Sequence, residues 1–107
     1  MSPEALMRSR YTAYALGHSD HIIVTTHPDS PHVMADRVAW ARDIELFCAN
    51  TTFQGLEVVS SRVEGDRGWV EFVASLVQSG QRVPMREHSE FQCVDKRWLY
   101  LCALGSK

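Results

Sequence analysis

Trp69-Val70-Glu71-Phe72-Val73-Ala74-Ser75-Leu76 decides the fold, because it alternates with a period of two. Successive strand side chains point to opposite sides of a sheet, so Val70, Phe72, Ala74 and Leu76 share one face and Trp69, Glu71, Val73 and Ser75 the other. The first set must face a core. An alternation of this kind belongs to an antiparallel strand with one buried side and one wetter side.

The pattern continues in both directions. Downstream, Ser79-Gly80 turns the chain into a strand with Val83, Met85, Glu87, Ser89, Phe91 and Cys93 on its inner face. Arg82, Pro84, Arg86, His88, Glu90 and Gln92 take the outer face. Asp95-Lys96 makes the last turn before Trp98-Leu99-Tyr100-Leu101, which is apolar on both faces and is expected to be central or covered. Upstream, Glu64-Gly65-Asp66-Arg67-Gly68 is a glycine-rich turn, and a strand from Phe53 through Leu56 and Val58 to Val63 precedes it.

Before Phe53 the signals are helical. Ser2-Pro3-Glu4 combines a hydroxyl N-cap, proline at the first helical position and an acid in the first turn, and Gly17 supplies the stop. Ser19-Asp20 opens His21-Ile22-Ile23-Val24-Thr25-Thr26, expected to form a short helix ended by His27-Pro28. Ser30-Pro31 repeats the cap-then-proline signal and predicts a longer helix through Met34, Val38, Trp40, Ala41, Ile44, Phe47 and Cys48, finished by Asn50-Thr51-Thr52. Helices followed by an antiparallel meander make an α+β domain. With 107 residues the chain has room for a single core, so one domain spanning 1–107 is expected.

The first helix carries a charge that its pattern does not accommodate. In Leu6-Met7-Arg8-Ser9-Arg10-Tyr11-Thr12-Ala13-Tyr14, the residues Leu6, Met7, Ala13 and Tyr14 fall on one arc of the helical wheel, and Arg10 lies in its middle. Arg8 points away to solvent. A guanidinium on a core-facing stripe requires a carboxylate, carbonyls or a cavity that admits water or ligand.

Composition argues for none of several function classes. A formal net charge of -2 leaves no basic footprint for nucleic acid. No apolar run is long enough to span a membrane and the N-terminus lacks a signal-peptide layout, so the expected address is cytoplasmic. Cys48, Cys93 and Cys102 form an odd set without C-x-x-C spacing, which argues for buried free thiols rather than disulfides or a zinc site.

Leu6 to Tyr14, Thr26-His27-Pro28, Val70-Glu71-Phe72-Val73-Ala74, and Glu87-His88-Ser89-Glu90-Phe91 followed by Trp98-Leu99-Tyr100 together resemble the YchJ-like family of bacterial proteins, which are often joined to SEC-C motifs. The resemblance implies a nuclear-transport-factor-2-like (NTF2-like) fold, in which N-terminal helices close one side of a curved antiparallel sheet around a cone-shaped cavity. The ending Leu101-Cys102-Ala103-Leu104-Gly105 departs from the aspartate-glycine finish the family suggests. The cysteine-rich, zinc-binding SEC-C motifs of full-length relatives are missing, so no zinc-dependent role carries over, and no metal or cofactor is expected.

Arg10 and Glu87 are the sharpest candidate pair, each a lone charge on an apolar face. Either they form a salt bridge pinning helix to sheet, or they make a polar floor to the cone, where donors hold a carboxylate-bearing ligand and Glu87 accepts from it or acts as a base. Tyr14, Trp98 and Tyr100 would be walls with polar tips. His18, His21, His27 and His32 crowd the helix connections. A metal site would require them to converge with Asp20 or Asp29, and solvated loop histidines are the expected state.

No nucleophile elbow or phosphate-cradling glycine run is present, and no catalytic residue is assigned. The expected function is a small-ligand or protein-interaction module with a cone-shaped pocket. A small acid-base enzyme, isomerase-like or dehydratase-like, is the alternative by fold analogy. On the outer sheet face Trp69, Val73 and Val77 make an apolar stripe, the expected seat of a homodimer or of a docked SEC-C segment.

Overall fold

The computed structural model describes residues 2–106. Helix α1 spans Pro3–Leu16, α2 Ser19–Val24 and α3 Arg37–Ala49; strands β1 Thr51–Glu64, β2 Arg67–Gln78, β3 Gln81–Val94 and β4 Arg97–Ser106 follow. The sheet is an antiparallel meander in the order β1-β2-β3-β4. The α+β expectation holds, with the helices on the concave side. Register shifts at Phe53/Gly55 and Val58/Ser60 in β1, and at His88/Ser89 and Glu90/Phe91 between β3 and β4, insert the extra residues that bend a sheet. Ser79 and Gly80 both have positive φ, as a two-residue hairpin turn twisted to match its strands requires.

α1 begins and ends where its sequence directs. Ser2 Oγ accepts from the Ala5 amide at 3.1 Å, and Gly17, at φ 74°, closes the helix in the left-handed conformation. α2 lies two residues earlier than expected, because Thr25 and Thr26 leave the helix. The Tyr100 amide donates to Thr25 O at 2.8 Å and the His27 amide to Tyr100 O at 2.7 Å, so this segment pairs in parallel with β4. β4 is therefore covered at its outer edge rather than central.

Ser30-Pro31 does not start a helix. The Ser30 hydroxyl accepts from the His32 amide at 3.3 Å within a turn, and α3 begins only at Arg37, with Asp36 as its N-cap. Asp36 Oδ1 accepts from both Val38 N, at 3.0 Å, and Ala39 N, at 3.1 Å. The carboxylate thus takes two of the free donors at the helix start, a role the serine hydroxyl, spent in its turn, does not fill.

Two apolar clusters result. Leu6 and Met7 of α1 pack on Val70, Phe72, Ala74, Leu76, Phe91 and Tyr100 of the sheet. Ala13, Ile22, Ile23, Trp40 and Ile44 join the three helices. The inner face read from the period of β2 is buried as expected. On the outer face Trp69, Val73 and Val77 are each half-buried within the single chain, Arg62 lies over the Trp69 ring at 4.3 Å, and Arg86 makes two hydrogen bonds to Glu71. Glu90, expected on a solvated face, is 9% exposed and paired with Arg67 at 3.3 Å. The three cysteines are free and half-buried rather than buried. No helix among the described residues is long and apolar enough to cross a membrane.

Gly68 fixes where α1 meets the sheet. A Cβ at this position would collide with the Pro3 ring and approach Trp98 Cζ3 at 3.3 Å. Gly68→Ala should therefore displace the start of α1 and cost about 1–3 kcal/mol, as overpacking does. Urea denaturation measures the loss, and a variant as stable as the parent would show that the contact is not tight.

Candidate functional site

Arg10 departs from the ion pair that its sequence position invites. It is only 8% exposed, yet among the described residues no carboxylate lies within 4.0 Å of it. Its Nη1 instead donates to Ile22 O at 3.1 Å, Thr25 Oγ1 at 2.8 Å and Thr26 Oγ1 at 3.2 Å. The guanidinium is stacked 4.5 Å from the Tyr100 ring centroid. One edge of the fork therefore clasps the end of α2, where carbonyls are left over at a helix C-terminus. Burial holds the guanidinium below its ordinary pKa, opposed by Tyr14, Tyr100 and Glu87.

The other edge faces space. Nε and Nη2 make no hydrogen bond of good geometry among the described residues, although the Tyr14 hydroxyl interacts with the guanidinium and helps to keep it charged, and no polar side-chain atom is sealed off without a partner. This edge is therefore not sealed off, and Arg10 and Glu87 together line a cavity of about 400 Å³. The pair shares a cavity rather than a bond. Glu87 Oε2 accepts from Ser89 Oγ at 2.6 Å and, at 3.5 Å, from the Tyr100 hydroxyl. Its Oε1 has no partner among the described residues.

The walls are apolar and aromatic. Met7, Ile22, Phe72, Ala74, Leu76 and Phe91 form the buried interior. Tyr14 stacks on Phe53 with centroids 6.4 Å apart and meets Phe47 edge-on at 5.8 Å. His32, Asp43 and Phe47 are the exposed lining residues and mark the mouth, with the His32 ring 5.9 Å from that of Tyr100. Burial raises the pKa of both phenols, most strongly at Tyr100, where Glu87 adds to the effect, whereas Arg10 opposes it at both. Tyr14 and Tyr100 are thus protonated donors at neutral pH.

Four of the five residues expected at the pocket line it together: Arg10, Tyr14, Glu87 and Tyr100. Trp98 does not. It shares the inner face with Tyr100, but two residues earlier it packs at the closed end, against Gly68 beside Pro3. The histidines do not gather: among the described residues no three His, Cys, Asp or Glu side chains are placed to hold a metal. His27 is buried rather than solvated, and its Nδ1 accepts from the Asp29 amide at 2.9 Å. His21 Nε2 lies 2.9 Å from Ser9 Oγ, and burial together with Arg10 and His18 lowers its pKa.

Sequence reasoning assigned no role to Thr25, Thr26 or Ser89. Ser89 was accessible to it, since it shares the period-two face of Glu87 and Phe91. The threonines lie in a segment whose β-branched composition already suited extended chain.

Residues 2–103 match the family model described as YchJ, middle NTF2-like domain. The chain is 38% identical over 104 residues to a UPF0225 protein of Serratia proteamaculans, covering 94% of this chain and 64% of that protein. It is 42% identical over 103 residues to a UPF0225 protein of Deinococcus radiodurans, covering 95% and 68%. The solution structure of a SEC-C motif containing protein from Rhodopseudomonas palustris superposes with a TM-score of 0.83 at 34% identity, over 99% of this chain and 77% of that one. The chain belongs to the YchJ-like family and has its NTF2-like fold, and it spans about two-thirds of the length of these curated relatives.

Arg10→Met retains the packing on Tyr100 and removes the clasp on α2. Hydrogen bonds to a charged donor contribute about 1.5–3 kcal/mol each and are not additive, so a total loss of about 2–4 kcal/mol is expected. Glu87→Gln should cost under about 1 kcal/mol, because breaking a buried ion pair is what makes such losses large. Equal large losses in thermal and urea unfolding would mean that an ion pair joins the two residues after all.

Proposed function

We propose that this member of the YchJ-like family is a small-molecule binding module whose ligand occupies the cone between α1, α3 and the sheet. One observation carries the reading: a cavity of about 400 Å³ with apolar, largely aromatic walls and convergent polar groups at its floor. That is the size and chemistry of a small-ligand site. The unspent Nε and Nη2 of Arg10 supply donors, Glu87 Oε1 supplies an acceptor, and the phenols of Tyr14 and Tyr100 supply polar tips on apolar rings. The three unpaired thiols support a reducing, cytoplasmic setting.

An acid-base enzyme in the same cavity is the second reading. It is favoured by a carboxylate with one free oxygen in the same space as two protonated phenols. Hydrogen–deuterium exchange at carbon next to the carbonyl of 2-acetylnaphthalene separates the two. Exchange faster than in buffer and lost in Glu87→Gln supports the enzyme; background exchange in both supports the binding module.

Filling the cone tests the binding reading itself. Ala74 is 1% exposed, lines the cavity and faces Met85 across the sheet. Ala74→Leu should weaken binding of 2-naphthol at least about tenfold, corresponding to lost burial of apolar surface, while unfolding stays cooperative. Titration followed by amide chemical shifts reads the affinity. Unchanged affinity in the filled variant, or shifts elsewhere than around Arg10, Ala74 and Ile44, would contradict the reading.

A further inference from the structure

We infer that the ligand presents an uncharged polar head to the floor of the cone, with an acceptor turned to Arg10 and a donor turned to Glu87. The inference rests on the cavity being a ligand site and concerns only what that site selects. Its ground is charge balance. At its floor the cavity has one fixed cation, Arg10, and one carboxylate, Glu87, more than 4.0 Å apart; the other lining carboxylate, Asp43, is exposed at the mouth, where water screens it. Both partners that Glu87 Oε2 has found, the Ser89 and Tyr100 hydroxyls, donate to it. Arg10 spends Nη1 on the end of α2, and its Nε and Nη2 are shared between the cavity and the Tyr14 hydroxyl that lines it; Glu87 spends Oε2 and keeps Oε1.

Opposite charges sharing a cavity without touching leave a gap whose two sides want different things. The Arg10 side accepts only acceptors and the Glu87 side only donors. An anionic head would satisfy Arg10 but place a second negative charge near Glu87, in surroundings where apolar walls strengthen every charge interaction. An ammonium head would satisfy Glu87 and face the guanidinium. A neutral group that carries both functions side by side, such as a primary amide, a lactam or a hydroxy-carbonyl, completes both residues and adds no net charge. The aromatic walls at Tyr14, Phe47, Phe53 and Phe91 suit a flat apolar body behind that head.

The test compares three probes with one ring system: 2-naphthamide, 2-naphthoate and 2-naphthylmethylamine, titrated calorimetrically into the full chain at neutral pH. The amide should bind at least about tenfold tighter than either ion, since an uncompensated charge in such a site costs at least that factor. Glu87→Gln, verified as folded by its melting curve, should raise the affinity for 2-naphthoate at least about tenfold and weaken the amine. A naphthoate that binds wild type as tightly as the amide, or a naphthoate affinity unmoved by Glu87→Gln, overturns the inference. The wild-type ranking is read without the variant. If all three probes bind alike and Ala74→Leu displaces them, the selectivity falls and the pocket stands; if none binds, both fall.

Discussion

The structure turns on a guanidinium buried where two apolar clusters meet. Transfer of such a charge from water is costly, and a chain that buries it must offer hydrogen bonds over most of its rim. Here α2 ends so that Ile22 O, Thr25 Oγ1 and Thr26 Oγ1 converge on one nitrogen of Arg10, and Tyr100 offers its ring face. The same Tyr100 backbone pairs with Thr25 and His27, so the arginine, the end of α2 and the covered edge of β4 are one unit. Helices and sheet are tied together at this point without an ion pair, and the clusters on either side are free to diverge around a cavity.

That divergence connects fold to chemistry. Bulges in β1 and between β3 and β4 curve the sheet away from α3, and the close approach of Pro3 to Gly68 shuts the opposite end. The result is a cavity that opens at the exposed residues His32, Asp43 and Phe47 and does not reach Trp98. Glu87 reaches the cavity because the strand period puts it on the inner face between Met85 and Ser89. Were the two charges in contact, the floor would be self-satisfied. Their separation leaves donors and an acceptor unspent in an apolar chamber.

What the sequence revealed follows from which signals are local. The alternation in Trp69 to Leu76 fixed the buried face of β2, since period two leaves no choice once one face is apolar. The helical arc placing Arg10 inward was equally local, as were the cap at Ser2 and the stop at Gly17. The partner of Arg10 was not, because carbonyls and threonine hydroxyls leave no charge pattern to read, whereas a carboxylate on another apolar face does. Ser30-Pro31 misled for a similar reason: a serine before proline caps a helix or makes a turn, and the pairing of Thr26 with Tyr100 decides for the turn. Trp98 was placed on the correct face but at the wrong depth, since period alone says nothing of the taper of a curved sheet.

The division of Arg10 into a structural edge and a ligand-facing edge is the central claim, and nitrogen-15 spectroscopy of its side chain tests it most directly. The account predicts two resolved Nη signals: Nη1, with hydrogens slow to exchange and unmoved by 2-naphthamide, and Nη2, which shifts with Nε as the ligand is added. A single averaged Nη signal with rapidly exchanging hydrogens, unresponsive to ligand, would contradict it.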